Sequence, residues 1–411
     1  LYVSSLYSGN SDQMTALDQT IQKRSIELHQ EAVRIRRHLH RLPEPCFKES
    51  KIALYIADYL RKLGLNVQTG IAGTGIKAVL KGKKASPVVG IRADMDALPI
   101  HEKTGLPYQS IHPGFMHACG HDAHMTNVLI AAKILSEIKN RIPGSVVFIF
   151  QPCEEGTPDG SPAGADRMIR AGILQNPSID GMFGLHVMPG NVGSISLREG
   201  PLMANVASVF ITIRGKSSHG AFPHKGVDAI YAASSAVLQF QSLISRVKDP
   251  NERAVLTIGK ISGGVRLNVI AEEVKMEGTV RSFSFETEQM IEQGMQKILA
   301  GLKLALGIEY EFKFKRSSKF VKNDIKLTRT MLPKLKKILG KKNVKIVDPV
   351  TIGEDFAAYS HKVPSLFFFL GVGQNRSLHT PTFAVDETAL KYGPMILASA
   401  ALHFLTSHQS D

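Results

Sequence analysis

ASVFITIR at 207–214, AVLTIGKIS at 254–262, AEEVKMEGTVRS at 271–282 and EYEFKFK at 309–315 are the four stretches on which the fold turns. Each is a run of strand length, rich in apolar and β-branched residues. A helical stretch from Val227 to Arg246 separates the first two, and another from Glu286 to Leu306 separates the last two. The resulting order, βαββαβ, is the ferredoxin-like arrangement, and 201–316 has the length of an independent domain.

Outward from this block the pattern changes. Upstream, two amphipathic helices (21–40 and 50–63) precede apolar strands at 75–80, 88–92, 146–150 and 181–186, which alternate with helical stretches at 125–138 and 163–171. Downstream, a helix at 325–340, an apolar strand at 365–371 and a helix at 386–405 resume that alternation. Strands alternating with helices imply an α/β domain with a mainly parallel sheet and helices on both faces. The expectation is therefore one α/β domain made of 15–200 and 317–411, interrupted by the smaller ferredoxin-like domain at 201–316. Residues 1–14 are expected to be a flexible polar leader.

Composition narrows the function. The chain has 411 residues, with 50 Lys and Arg against 36 Asp and Glu, 43% hydrophobic and 21% charged residues. That is a globular composition, not a disordered or collagenous one, and no fixed repeat points to a solenoid. The longest apolar stretches, at 366–372 and 395–405, fall short of the roughly 18–20 residues of a membrane span. The net charge of +14 is scattered and accompanies no nucleic-acid reader motif, so no specific nucleic-acid partner is expected. Cys46, Cys119 and Cys153 are an odd number in a large chain. They do not resemble a disulfide framework, and thiols are expected, one of them available to a metal. A cytoplasmic location is expected, with a trimmed secretory leader as the alternative.

The chemistry concentrates in a few segments. MHACGHDAHM (116–125) puts one Cys, three His and one Asp in ten residues. A thiolate at 119 and an imidazole at 121 can reach one ion from a turn that Gly120 permits, although a structural turn would read the same way. QPCEEG (151–156) places Glu154 and Glu155 beyond a strand end, where α/β sheets bind ligands. Adjacent side chains diverge, so one carboxylate can ligate a cation while the other faces a water; a solvated pair on a loop is the plainer reading. His186 ends another strand, and His379 lies in SLHTP after the strand ending at Gly371. Each histidine alone reads as structural. Together Cys119, His121, Glu155, His186 and His379 offer five donors suited to one or two borderline-soft divalent ions. Asp94 and Asp96, in RADMDALP, are expected to orient ligands or to be structural. In 215–229, GKSSHGAFPHKGVDA, His219 could donate to an oxyanion; Asn268 and Arg281 could bind a substrate carboxylate.

RRHLHRLPE (36–44), RADMDALP (92–99), MHACGHDAHM, QPCEEG, GLHV (184–187), GKSSHGAFPHKGVDA and SLHTP (377–381) together resemble the aminoacylase and carboxypeptidase family of two-metal amidohydrolases. The likeness is nearest to its branch of indole-acetyl-amino-acid hydrolases, hippurate hydrolases and N-acyl-amino-acid deacylases, and runs in order from about residue 25 to 405. The resemblance implies a metal-dependent hydrolase that cleaves the amide of N-acyl amino acids (hippurate, N-acetyl or indole-acetyl type). It also implies two divalent ions per subunit, zinc or manganese, with cobalt or nickel as further options. Cys119, His121, Glu155, His186 and His379 look like the metal ligands, and Glu154 looks like the general base. His219 looks like the residue that steadies the tetrahedral intermediate, and Asn268 and Arg281 are similar to residues that hold the substrate carboxylate. The smaller domain would serve as a lid and as the contact of a homodimer. The alternatives are a carboxypeptidase or dipeptidase, an N-acetyl-diaminopimelate deacetylase, and a non-catalytic binding protein on the same fold.

Overall fold

A computed structural model describes residues 5–157, 161, 163–374 and 377–408, with side chains from residue 16 onward. The strands are β1 (Asn66–Ile71), β2 (Gly75–Lys81), β3 (Val88–Asp94), β4 (Ser145–Gln151), β5 (Gly181–Met188), β6 (Ile195–Leu197), β7 (Gly200–Met203), β8 (Asn205–Arg214), β9 (Ala254–Gly263), β10 (Glu273–Ser282), β11 (Glu309–Ser318), β12 (Val321–Asn323), β13 (Val344–Ile346) and β14 (Ser365–Gly371). The helices are α1 (Ser5–Glu27), α2 (His29–His40), α3 (Ser50–Lys62), α4 (His121–Glu137), α5 (Gly164–Arg170), α6 (Ala229–Ser242), α7 (Phe285–Leu306), α8 (Ile325–Leu339), α9 (Ala357–Ser360) and α10 (Tyr392–Ser407).

Two compact units form. The larger comprises 1–202, 322–348 and 355–411; the smaller comprises 203–321 and 349–354. In the larger unit one sheet runs in the order β1-β2-β4-β3-β5-β14-β6-β13. Its middle, β4-β3-β5-β14, is parallel, while β1 and β2 run antiparallel to their neighbours and β6 runs antiparallel to β14 and parallel to β13. Every residue of β3, β4 and β14 is buried, which is why these strands read as unbroken apolar runs. Helix α4 is buried on almost every side, with Ala123, Val128, Leu129, Ile130 and Ala131 fully enclosed against the sheet and α10.

The smaller unit is an antiparallel sheet in the order β11-β8-β10-β9, with α6 between β8 and β9 and α7 between β10 and β11. That is the ferredoxin-like arrangement. The core is its own: Val209, Ile211 and Ile213 of β8 meet Ala232, Ala236 and Phe240 of α6 and Ile291, Met295 and Leu299 of α7. Residues 349–354 join this unit because Ala204 N–H donates to Ile352 C=O at 3.0 Å and Val206 packs where a Gly353 side chain would stand.

Several local details differ from the sequence reading. The expected leader is divided: residues 1–4 lie outside the described residues, and from Ser5 the backbone is helical in α1. The expected helix 21–40 is two helices, broken at Leu28. Strand β1, NVQTGI, went unread because five of its six residues are not buried and leave no apolar run. The cysteine expectation is corrected: Cys46 and Cys153 are joined by a disulfide, and Cys119 alone remains a thiol. The loops after α2 and β4 bring the pair together across 107 residues, a pairing that no local pattern reveals. Among the described residues, no helix is long and apolar enough to cross a membrane.

One buried network fixes the start of α4. Asp122 pairs with Arg36 Nε at 2.7 Å and with His40 Nδ1 at 2.8 Å, and His40 Nε2 reaches Glu102 at 3.1 Å. Burial and Arg36 disfavour the charged ring, but Asp122 and Glu102 outweigh them and hold His40 above its usual range. Arg36 and Asp122 are wholly enclosed, so removing one partner strands the other without water. We expect Asp122→Ala to cost about 3–5 kcal/mol of unfolding free energy, read from the shift in urea midpoint; an unchanged midpoint would refute this account of α4.

Candidate metal centre and catalytic site

The carboxyl ends of the parallel strands and the start of α4 converge. Cys119 and His121 flank Gly120, whose φ of +89° favours glycine and where a Cβ would stand 2.3 Å from Val187 Cγ2. Glu154 and Glu155 follow β4, His186 lies on β5, and His379 follows β14. His379 is held at φ +60° by its own N–H donating to Ala118 C=O at 2.9 Å.

The structure brings together all six residues that the sequence singled out here. Cys119 Sγ is 3.2 Å from His186 Nε2 and 3.1 Å from His379 Nε2. His121 Nε2 lies 3.8 Å from Glu154 Oε2 and 3.7 Å from Glu155 Oε1, and Glu155 Oε1 is 3.4 Å from His379 Nε2. Cys119, His121 and His186 form one group of mutually close donor atoms, and Cys119, Glu155 and His379 form another. Either trio could hold a metal ion.

Behind these atoms a second layer sets their orientation. Asp96 C=O accepts His121 Nδ1–H at 2.8 Å, which turns Nε2 toward the cluster. The Asp96 carboxylate accepts Glu154 N–H at 2.9 Å and Glu155 N–H at 3.1 Å. Asp94 accepts from His124 Nδ1 at 2.7 Å and from Arg92 at 2.8 Å, and His124 Nε2 accepts Val187 N–H at 2.8 Å. His186 Nδ1 donates to Val187 C=O at 2.6 Å, leaving Nε2 for Cys119.

Sequence reasoning missed Asp355. It accepts from Arg92 at 2.7 Å and from Gln151 at 2.8 Å, and its N–H faces Glu154 Oε1 at 3.4 Å. The acidic pair Glu354-Asp355 ahead of a helix was the available signal, but an acid before a helix also reads as a cap.

The pocket's charge calls for a cation. Burial opposes charging His121, yet Asp94, Asp96 and Glu155 prevail and push it up to about 10. Burial, then Glu155, Glu154 and Asp94, raise the Cys119 thiol well above its ordinary range. His186 is driven down by burial and by His124, so it offers a neutral nitrogen. His121 Nε2 is buried and has no hydrogen-bond partner. Thiolate, imidazole and carboxylate are the donor set of a zinc-type or manganese-type ion, and the residues fit such an ion.

The other three candidates lie in the smaller unit. His219 and Asn268 come together on its loops, where Gly220 N–H donates to Asn268 C=O at 2.8 Å, and both are exposed. Arg281 is half-buried on β10, donates to Thr279 Oγ1 and to Val280 C=O, and is lowered by burial.

A sequence profile of peptidase family M20/M25/M40 matches residues 90–403. The chain is 37% identical over 387 residues to the N-acetyl-L-cysteine deacetylase of Bacillus subtilis strain 168, covering 93% of this chain and 90% of that one. It is 39% identical over 372 residues to the N-acetyldiaminopimelate deacetylase of Geobacillus sp. strain WCH70, covering 89% and 96%. Its structure is similar to that of a dinuclear metal binding peptidase of family M20 from Bacillus subtilis, with a TM-score of 0.79, 33% identity and coverage of 92% and 99%.

Glu49 supplies a pH-dependent element beside the site. Its carboxylate accepts Cys153 N–H at 3.0 Å and Thr74 Oγ1–H at 2.5 Å. Burial pushes it up to about 7, against the pull of Thr74 and with some help from Asp96. An unfolded Glu titrates at about 4.3. The unfolded chain therefore releases this proton first, so the contribution to stability is full below about 4.3 and is lost as pH rises through about 7. We expect Glu49→Gln to flatten the fall in unfolding free energy between about pH 5 and pH 8, measured by denaturation; parallel slopes in the two proteins would contradict this.

Proposed function

Because the chain belongs to peptidase family M20/M25/M40 and is a metal-dependent amide hydrolase, we propose that it releases free amino acids from N-acyl amino acids, with N-acetyl amino acids as the preferred class. The observation that carries this reading is the convergence of Cys119, His121, Glu155, His186 and His379 beside Glu154. The N-acetyl preference is supported by two relatives, 37% and 39% identical over nearly their whole length, that are both N-acetyl amino-acid deacetylases by name. Benzoyl and indole-acetyl amino acids are the wider class to test, and dipeptides the rival one.

Cys119, His121 and His186 would hold one divalent ion, and Cys119, Glu155 and His379 a second. Zinc or manganese suits this set, with cobalt or nickel as alternatives. Bound there, such ions supply Lewis acidity that makes water a nucleophile near neutral pH and polarises an amide carbonyl. The remaining work belongs to the side chains. Glu154 takes the proton of the attacking water at its carboxylate and delivers it to the leaving amine nitrogen. The Asp355 N–H, 3.4 Å from Oε1, and the Asp96 carboxylate on the Glu154 N–H hold that base in place. His219 donates to the oxyanion, and Asn268 and Arg281 bind the substrate carboxylate.

We further infer a homodimer through the smaller unit. Its exposed Tyr231, Leu238, Val265 and Leu267 are large apolar side chains of the kind an interface covers, and β9 is an edge strand there.

Glu154→Gln is expected to retain metal and substrate binding and to lose about 10²-fold to 10⁴-fold in kcat. The measurement is amine release from N-acetyldiaminopimelate, N-acetylcysteine, hippurate, indole-acetyl amino acids and dipeptides by zinc-loaded or manganese-loaded protein. Retained turnover in the variant would remove Glu154 as the base, and cleavage confined to dipeptides would move the protein to the peptidase reading. If His219 serves the partner subunit's site, mixing Glu154→Gln with His219→Ala protein should restore activity in heterodimers. Absence of recovery after confirmed subunit exchange would place His219 in its own subunit's site.

A further inference from the structure

Cys153 stands directly before Glu154 and Glu155, and its sulfur is bonded to Cys46. Cys153 is fully buried and takes φ +53°, a left-handed conformation that a side chain other than glycine adopts only when its surroundings impose it. The turn immediately precedes the two residues whose carboxylates stand 3.8 and 3.7 Å from His121 Nε2.

One segment grips the turn from outside. The disulfide comes from Cys46, and the Cys153 N–H goes to Glu49 Oε1 at 3.0 Å, three residues further on. The segment is itself anchored. Glu44 Oε2 accepts the N–H groups of Lys51 at 2.9 Å and Ile52 at 3.0 Å, fixing it to the start of α3. The Phe47 ring lies under the Arg167 guanidinium of α5, 4.0 Å from the ring centre. Cys46 is partly buried whereas Cys153 is fully buried, so an external thiol approaches the bond from the Cys46 side.

We propose that the Cys46–Cys153 disulfide positions Glu154 and Glu155 and makes turnover depend on thiol redox state. This rests on the reading of Glu154 as the base. The reductant is a dithiol. Its thiolate attacks the Cys46 sulfur, the Cys46–Cys153 bond breaks, and the Cys153 sulfur leaves with the electron pair and takes up a proton. The second thiol of the reductant, losing its proton, then closes the reductant's own disulfide and releases Cys46, which is protonated in turn. Two electrons and two protons pass from the dithiol to the protein, and oxidation by a disulfide reverses the exchange. With the bond open, the turn at Cys153 relaxes out of its left-handed conformation and the two carboxylates lose their alignment.

The test uses full-length, manganese-loaded protein, reduced with dithiothreitol and desalted, with alkylation and mass spectrometry confirming two new thiols at 46 and 153. Metal content, kcat, KM and hydrogen exchange of peptides covering 152–157 are measured before and after. We expect kcat to fall tenfold or more with metal retained, exchange in 152–157 to rise, and both to return on reoxidation with oxidised glutathione. The Cys46→Ala/Cys153→Ala double variant should match the reduced protein and ignore the reductant. Unchanged kcat in confirmed reduced protein, or in the folded double variant, would overturn the proposal, as would a loss of kcat with no change in exchange at 152–157. The two readings fail separately: full turnover in oxidised Glu154→Gln removes the base assignment, while hydrogen exchange at 152–157 still decides whether the disulfide holds the turn.

Discussion

Asp96 is the residue from which the candidate site is hung. Its carbonyl oxygen takes the Nδ1 proton of His121, and its carboxylate takes the N–H groups of both Glu154 and Glu155. One residue therefore sets the orientation of an imidazole on α4 and the register of the loop after β4. Consecutive side chains ordinarily diverge, but with both amides held on one carboxylate these two side chains turn to the same side. The result is that Glu154 Oε2 and Glu155 Oε1 stand 3.8 and 3.7 Å from the same nitrogen, His121 Nε2. Neither strand nor helix alone would produce that geometry; it requires the three chain segments to share one acceptor residue.

Crowding Asp94, Asp96, Glu154 and Glu155 around buried rings has an electrostatic consequence. His121 is pushed up to about 10 and the Cys119 thiol is raised, so without a cation both hold on to protons. Elsewhere the protein balances such acids with its own buried bases: Arg92 against Asp94 and Asp355, Arg36 against Asp122. At Cys119, His121 and Glu155 the described residues place no Lys or Arg ion pair. There the protonated His121 ring offsets the carboxylates, a role a bound metal ion would take over, and burying such a cluster is a functional compromise with stability.

Much of this was legible from residues alone, for a reason that also marks the limit. The central strands are buried on both faces, so β3, β4 and β14 announce themselves as apolar runs, and the donors stand where those runs end. The βαββαβ order of the smaller unit was visible for a different reason: its strands bury one face, so apolar and β-branched residues alternate with exposed ones over strand-length runs, as in β8, and helical stretches separate them. What stayed hidden is set by contacts between distant segments. Asp355 is 204 residues from Gln151, and Cys153 is 107 from Cys46. The MHACGHDAHM segment does not say what His124 does; the Asp94 carboxylate and the Val187 amide occupy both of its ring nitrogens. Periodicity locates elements; it does not say which side chains the packed elements bring within hydrogen-bonding distance.

The division of labour between the two units bears on how far membership of a family can specify a substrate. The metal-binding candidates and Glu154 all lie in the larger unit: His121 opens the buried α4, Cys119 is just ahead of it, His186 is on β5, Glu154 and Glu155 follow β4, and His379 is on an exposed loop after β14. Apart from His379, their placement is fixed by buried elements and the hydrogen bonds behind them. His219 and Asn268 sit on exposed loops of a unit with a separate hydrophobic core. Loop residues can change without disturbing either core. Two relatives at 37% and 39% identity carry the names of deacetylases for N-acetylcysteine and N-acetyldiaminopimelate, side chains of very different size and charge. The shared scaffold accounts for amide hydrolysis in both, and the difference between them must arise where the scaffold leaves side chains free to vary.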